Sequence, residues 1–308
     1  MKLTVRSYRD DRDYWRIRAF LRRVFLLNDR REWSWQAYRW DYWRWHGVEN
    51  LGHGDLEKQV FLWETDDGQI GAVLNPEGPG HAFLQIDPRW RTPNLEEHMI
   101  DIAQDHLARD TEGAERKLWL WVHEHDRQRQ EILARRGYTK GEWLEYQRRR
   151  LVSAPVPDVP VATGYVVRAL GTVDELPARS WASWRAFHPD APDEAYEGWD
   201  WYLNIQRAPL YRRDLDLVAV ASDGEIASFC TVWFDDVTRT GAFEPVATTP
   251  AHQRRGLGKA VMCEGLRRLG HLGATLVLVG SYEVPAHALY ASVGFTDYEL
   301  AAPWGKEL

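Results

Sequence analysis

The order of features in residues 59–87 returns in residues 217–249, and this internal repeat constrains the fold more than any other property of the chain. The first stretch reads QVFLWETDDGQIGAVLNPEGPGHAFLQID and the second LVAVASDGEIASFCTVWFDDVTRTGAFEPVATT. Each is a β-rich run, an Asp-Gly step and further β-rich runs, and Asp-Gly between such runs is a hairpin signal. Helical sequence with an apolar stripe follows in both, PRWRTPNLEEHMIDIAQDHLA in one and PAHQRRGLGKAVMCEGLRRLG in the other. KLWLWVHEH then parallels TLVLVGSYE as a buried strand. ILARRGYTKGEWLEYQRR parallels ALYASVGFTDYELAAP as a short helix, a glycine suited to its C-cap and a last strand. LTVRSYR and YVVRALG open the two halves as first strands, each followed by helical sequence.

Two α/β domains of one fold are therefore expected, in keeping with 308 residues at roughly 150 per domain. SAPVPDVPVATG, residues 153–164, reads as the linker, because proline sustains neither a helix nor a central strand. The expected domains are residues 1–152 and 165–308. Residues 1–150 carry 26 basic and 26 acidic side chains and residues 151–308 carry 13 and 20, so the net charge of -7 lies in the second half. An acidic half disfavours nucleic acid and suits a cationic small molecule. No run approaches the ~18 apolar residues of a membrane span, and MKLTVRSYRDDRDYW lacks the apolar region of a signal peptide. Cys230 and Cys263 form no disulfide framework or zinc spacing, so a cytoplasmic protein is expected.

The two halves part company at one loop. HQRRGLGKAV, residues 252–261, joins a β-rich run to a helix. Gly256 and Gly258 let backbone N–H groups approach a ligand, and glycine tolerates positive φ. The amides of a helix N-terminus and its dipole favour an anion, and Arg254 and Arg255 add charge for a pyrophosphate. In the first half, alignment of Pro88 with Pro250 sets Asn94 opposite Gly256 and Glu96 opposite Gly258. A carboxylate there opposes anion binding. Alignment of Gly137 with Gly294 sets Leu133 opposite Tyr290, so one cofactor site per chain is expected, in the second domain.

QRRGLG matches the Gln/Arg-x-x-Gly-x-Gly/Ala signature of the GNAT superfamily of N-acetyltransferases, and EVPAHALYASVGF resembles that family's closing helix. The resemblance covers residues 165–300 and the first half resembles a degenerate copy, so the chain looks like a tandem-GNAT protein, an arrangement that includes mycothiol synthase-like enzymes. It implies an α/β (α+β) fold of two domains, each with a mixed, mostly antiparallel sheet flanked by helices. It also implies acetyl-CoA as co-substrate and no metal. By that resemblance Gln253, Arg254, Arg255, Gly256, Leu257, Gly258 and Lys259 hold the pyrophosphate. The backbone near Val246 and Thr248 would meet the acyl and pantetheine groups. Glu244, in GAFEPVA, lies on the strand that in the family runs beside the thioester, where a general base can take the amine proton. Tyr290 matches the family tyrosine that protonates the departing thiolate. Pro245 cannot donate a ladder hydrogen bond, which fits a bulged or splayed strand. Where many members have asparagine seven residues before the tyrosine, this chain has Glu283, a weaker candidate for amine binding.

On the acceptor side Trp184, His188, Asp190, Asp193, Glu194 and Trp201 offer an acidic, aromatic surface to a cation, although core packing is the commoner use of a tryptophan. WSWQAYRWDYWRWH, residues 33–46, looks superficially like a nucleic-acid stacking platform, but packing at the repeat interface explains it better. His123 and His125 share one face of a strand end without a third metal ligand, and the arginines 148–150 read as a solvated strand end. The expectation is an acetyl-CoA-dependent N-acetyltransferase acting on the primary amine of a small, cationic acceptor through a ternary complex. Acetylation of a cysteinyl-sugar amine and a non-catalytic acyl-CoA sensor are the alternatives. The expected partner is the amine alone, with neither nucleic acid nor membrane. The chain would be a monomer whose first domain closes the acceptor site as a pseudo-partner, or a homodimer.

Overall fold

The computed structural model describes residues 2–110 and 116–308. In chain order the principal strands and helices are β1 (Thr4–Ser7), α1 (Asp11–Leu27), α2 (Ala37–Tyr42), β2 (Phe61–Glu64), β3 (Ile70–Pro76), β4 (His81–Ile86), α3 (Pro93–His106), β5 (Arg116–His123), α4 (Arg127–Arg135) and β6 (Glu145–Leu151). The series starts again with β7 (Tyr165–Ala169), α5 (Leu176–Phe187), α6 (Trp201–Ile205), β8 (Asp216–Ala221), β9 (Ile226–Asp235), β10 (Thr240–Thr248), α7 (Leu257–His271), β11 (Leu276–Ser281), α8 (Val284–Ser292) and β12 (Asp297–Glu307). The repeat read from the sequence is thus a repeat of structure in its principal elements, the first half adding a short helix at Leu56–Gln59 and two-residue strands at Arg109–Asp110 and Thr139–Lys140.

The chain divides into two compact units, Met1–Tyr146 with Glu299–Leu308, and Gln147–Tyr298. This differs from boundaries set by the Pro-rich stretch. Residues 147–151 of β6 lie beside β11 in the second unit, and Ala301 to Glu307 of β12 pair antiparallel with His123 to Lys117 of β5 in the first. Proline marked where the chain is irregular, but strand hydrogen bonding decides which sheet each last strand joins.

In the first unit β1 to β4 pair antiparallel in sequence, and β4 then runs parallel to β5. Met99, Ile100 and Ala103 of α3 cover one face, over Leu74, Leu84, Leu118 and Leu120. On the other face Ile17, Phe20, Leu21 and Val24 of α1 share a core with Trp35, Trp40 and Trp43. The Trp-rich run therefore buries three rings in its own unit's core rather than at a repeat interface: Trp35 stands 5.0 Å from Phe83 and Trp40 5.2 Å from Trp43 between ring centres.

The second unit repeats the plan, with β7, β8, β9 and β10 antiparallel and β10 parallel to β11. Leu257 and Val261, and Met262, Leu266 and Leu269, form a broad apolar stripe on α7 that packs on Leu217, Cys230, Val232, Phe243 and Val277. The arginines 148–150 are not a solvated end. Arg148 and Arg150 are buried, Arg148 donating to the Phe295 carbonyl and Arg150 to those of Leu151, Ala154 and Pro155. Carbonyls in an irregular, proline-rich stretch have few N–H partners, and Arg150 supplies them.

Candidate functional site

A bulge opens the second sheet at the residues picked out by chemistry. Val232 pairs with Phe243 and Cys230 with Val246, so Thr231 faces two residues, Glu244 and Pro245. One extra residue on one strand is a β-bulge, which re-aims side chains, and Pro245 sits where its missing N–H is tolerated. On the other side of β10 the parallel ladder runs from Thr240–Leu276 to Ala242–Leu278 and ends. Residues 243–248, including Glu244, Val246 and Thr248, follow the last of these parallel pairs.

The loop after β10 leads into α7. Gly256 starts α7 at φ 77°, in the left-handed region, and no side chain caps the helix. A Cβ on Gly256 would meet nothing within 4 Å, so it is backbone conformation that calls for glycine there. Gly258 differs from the sequence expectation: its φ is not positive, and its missing Cβ makes room for Leu289 at 3.3 Å and the Thr248 hydroxyl at 3.5 Å. Gln253, Arg254 and Arg255 are exposed, Gly258 and Lys259 half-buried, and Leu257 anchors the turn in the core. Gln253 Nε2 donates to the Thr248 carbonyl at 3.3 Å, tying the loop to the end of β10. His252 lies between the Tyr165 hydroxyl at 2.8 Å and the Glu225 carboxylate at 3.2 Å. Exposed arginines thus stand beside a helix N-terminus whose first N–H groups no side chain caps.

The matching helix start in the first unit is already satisfied. Thr92 Oγ1 accepts from the Leu95 N–H, capping α3. Glu96, fully buried, accepts from Arg91 Nε at 2.7 Å, Arg129 Nε at 2.7 Å and Gln128 Nε2 at 2.6 Å. Those guanidinium groups overcome the cost of burial and draw its carboxyl down to about 2. This unit supplies its own anion.

Tyr290 lies on α8, buried in the second core with its ring centre 6.5 Å from that of Phe295. Burial, and after it the Glu244 charge, push its phenol pKa well above the ordinary value. Leu133, at the corresponding place in the first unit, is an apolar core residue. Glu244 is half-buried, and its carbonyl accepts from Trp233 Nε1 at 2.7 Å. Trp233 escaped sequence reasoning, as did the buried Arg179–Asp216 pair at 3.2 Å. Asp216 opening the otherwise apolar DLVAVA was the available signal, since a carboxylate in such a strand needs a counter-ion. Its partner lies 37 residues away and no spacing rule finds it.

The acceptor-side residues gather in part. Trp184 stacks with Trp181 at 5.3 Å and with His188 at 5.6 Å, while the Arg185 guanidinium stands 5.6 Å from its ring. A ring so engaged has little free face for another cation. Asp190, Asp193 and Glu194 are exposed, Trp201 is half-buried edge-on to Tyr202, and Glu283 is exposed at the start of α8. His123 Nε2 bonds Glu299 at 3.0 Å, and among the described residues no group of three or more His, Cys, Asp or Glu is placed to hold a metal ion. Nor is any described helix long and apolar enough to cross a membrane.

Comparison with known proteins agrees with this geometry. Residues 174–295 match the model of the acetyltransferase (GNAT) family. The chain is 29% identical to a mycothiol acetyltransferase of Kineococcus radiotolerans, covering 83% of this chain and 85% of the relative. It is 26% identical to a mycothiol acetyltransferase of Rhodococcus opacus, covering 85% and 86%. Among solved structures, a GCN5-related N-acetyltransferase from Sphaerobacter thermophilus superposes with a TM-score of 0.66 at 17% identity over 99% of this chain and 95% of that one. A tandem GNAT protein from the clavulanic acid biosynthesis pathway gives 0.66 at 15% identity over 99% and 98%.

Proposed function

We propose that the second unit, in which residues 174–295 match the acetyltransferase (GNAT) family, transfers an acetyl group from acetyl-CoA to the primary amine of a small acceptor in a single ternary complex. The observation that carries the reading is the bulge on β10 at the end of its parallel ladder with β11, followed by an uncapped helix start beside exposed arginines. Residues 253–259 would hold the pyrophosphate, and the backbone of Val246 to Thr248 would run beside the extended arm. Acetyl-CoA supplies the activated acyl group as a thioester. Val246 and Thr248 offer backbone groups along that edge, where a donor aimed at the carbonyl oxygen stabilises developing charge.

An alkylammonium, with a pKa of about 10.4, must lose a proton before it attacks. Glu244, half-buried on the bulge, takes that proton, directly or through water. Tyr290, kept protonated by burial and by the Glu244 charge, gives its proton to the departing sulfur. The amine nitrogen gains the acyl carbon and the carbon–sulfur bond breaks. The ammonium gives up two protons in all: the one Glu244 takes before attack, which passes on to water, and one lost as the amide forms, which restores the proton Tyr290 delivers to the thiolate.

For the acceptor, the relatives' name favours the amine of a cysteinyl sugar, since their likeness runs over most of this chain. A simple cationic amine is the second reading, favoured by the acidic excess of residues 151–308. Calorimetric titration with acetyl-CoA, followed by thiol release with cysteinyl-glucosamine and with a panel of polyamines and aminoglycosides, tests both. One site per chain, lost in Gly256→Glu, and turnover with one acceptor class support the proposal. Binding without turnover for any amine would make the protein a sensor. Two sites would overturn the reading of Glu96.

A further inference from the structure

We propose that Trp233 is a positioning residue that locks the β10 bulge so that Glu244 is aimed at the amine, an inference resting on the reading of Glu244 as the base. A bulge takes backbone groups out of the ladder, and the Glu244 carbonyl is given the indole N–H of Trp233 on the neighbouring strand, at 2.7 Å. That indole is 1% exposed, so water cannot replace it. Tyr211 meets the Trp233 ring edge-on at 6.3 Å and donates its hydroxyl to Asp216 at 2.9 Å. Asp216 also accepts from the Tyr202 hydroxyl and from Arg179 Nε.

Arg179 completes the clamp. It is wholly buried over the Phe229 ring at 3.8 Å, and its Nη2 donates at 3.1 Å to Thr231, the residue that faces the bulge. One buried network therefore grips both strands at the irregularity, β9 through Thr231 and β10 through the Glu244 carbonyl. The backbone that this network holds sets the direction in which the Glu244 side chain leaves β10, and general-base catalysis needs its carboxylate within hydrogen-bond reach of one proton. The cofactor loop, residues 253–259, lies outside this network, so the two functions are separable by substitution.

The test is a double-mutant cycle of Trp233→Phe with Glu244→Gln, assayed with acetyl-CoA and cysteinyl-glucosamine, or with whichever amine of the panel turns over. Trp233→Phe keeps an aromatic ring and deletes the donor. The expected result is a roughly tenfold lower kcat, the scale of one lost hydrogen bond to a buried carbonyl, with unchanged acetyl-CoA affinity and a shifted acidic limb of the pH profile. On the Glu244→Gln background it should have almost no further effect, because there is no base left to aim. Full turnover in Trp233→Phe, or the same loss on both backgrounds, overturns the proposal. If Trp233→Phe does not fold, Tyr211→Phe carries the same test, with a smaller, equally non-additive loss expected and unaltered turnover decisive against it. A wild-type chain that releases no thiol with any amine would instead refute the reading of Glu244 on which this rests.

Discussion

Replacing Glu96 by glutamine should destabilise the first unit by about 3 kcal/mol near neutral pH. The figure follows from the carboxyl's ordinary value of 4.5 and its folded value of about 2, at about 1.4 kcal/mol per unit. A carboxyl whose value is lowered on folding contributes stability that is complete above about 4.5 and is lost as the pH falls towards about 2. The gap between wild type and Glu96→Gln should therefore narrow on acidification, to about 2 kcal/mol near pH ~3.5. Breaking a buried ion pair from one side leaves guanidinium charge uncompensated, which independently predicts a loss of about 3–5 kcal/mol. Arg91 retains Asp126 at 2.5 Å, which argues for the lower end. Urea unfolding followed by tryptophan fluorescence suits the measurement, because most of the 17 tryptophans lie in the first unit. A difference below about 1 kcal/mol, or one that does not change with pH, would refute the view that Glu96 is this unit's internal anion.

Three further outcomes are expected. Gly256→Ala forces a side chain into the left-handed region at φ 77°, so it should lower stability by about 1 kcal/mol in thermal melts and weaken acetyl-CoA binding in titration, although no atom stands in its way. Tyr290→Phe should lower kcat while leaving acetyl-CoA affinity intact. Because its pKa is raised, the wild-type phenol stays protonated past pH ~10, and the kcat profile should show no alkaline loss from this group below that point. Gly265→Ala would set a Cβ 2.7 Å from the Phe243 ring, so overpacking should cost about 1–3 kcal/mol in urea unfolding, with any loss of activity following from instability.

Local rules carried a large part of the architecture. Apolar alternation, Asp-Gly steps and glycine caps marked the repeated order of strands and helices, since each depends on residues a few positions apart. The glycine-led, uncapped helix start was legible for the same reason: glycine at φ 77° and neighbouring arginines are local facts. The proline at position 245 pointed to the bulge because its missing N–H is a property of one residue.

What the sequence by itself determined was the repeat, the kind of each element, and the contrast between Gly256 and Asn94 at the two helix starts. Only the tertiary structure decided where the last strands go, with Glu299–Leu308 in the first unit and residues 147–151 in the second, because any open sheet edge can hydrogen-bond any strand. It decided that Arg148 and Arg150 are buried, that Trp184 stacks between Trp181 and His188, and that Glu96 meets Arg91 and Arg129. It also brought Trp233 to Glu244 and Arg179 to Asp216. These are pairings between residues distant in the chain, whose charges and hydrogen bonds act over a few ångströms of space and leave no periodicity in the sequence.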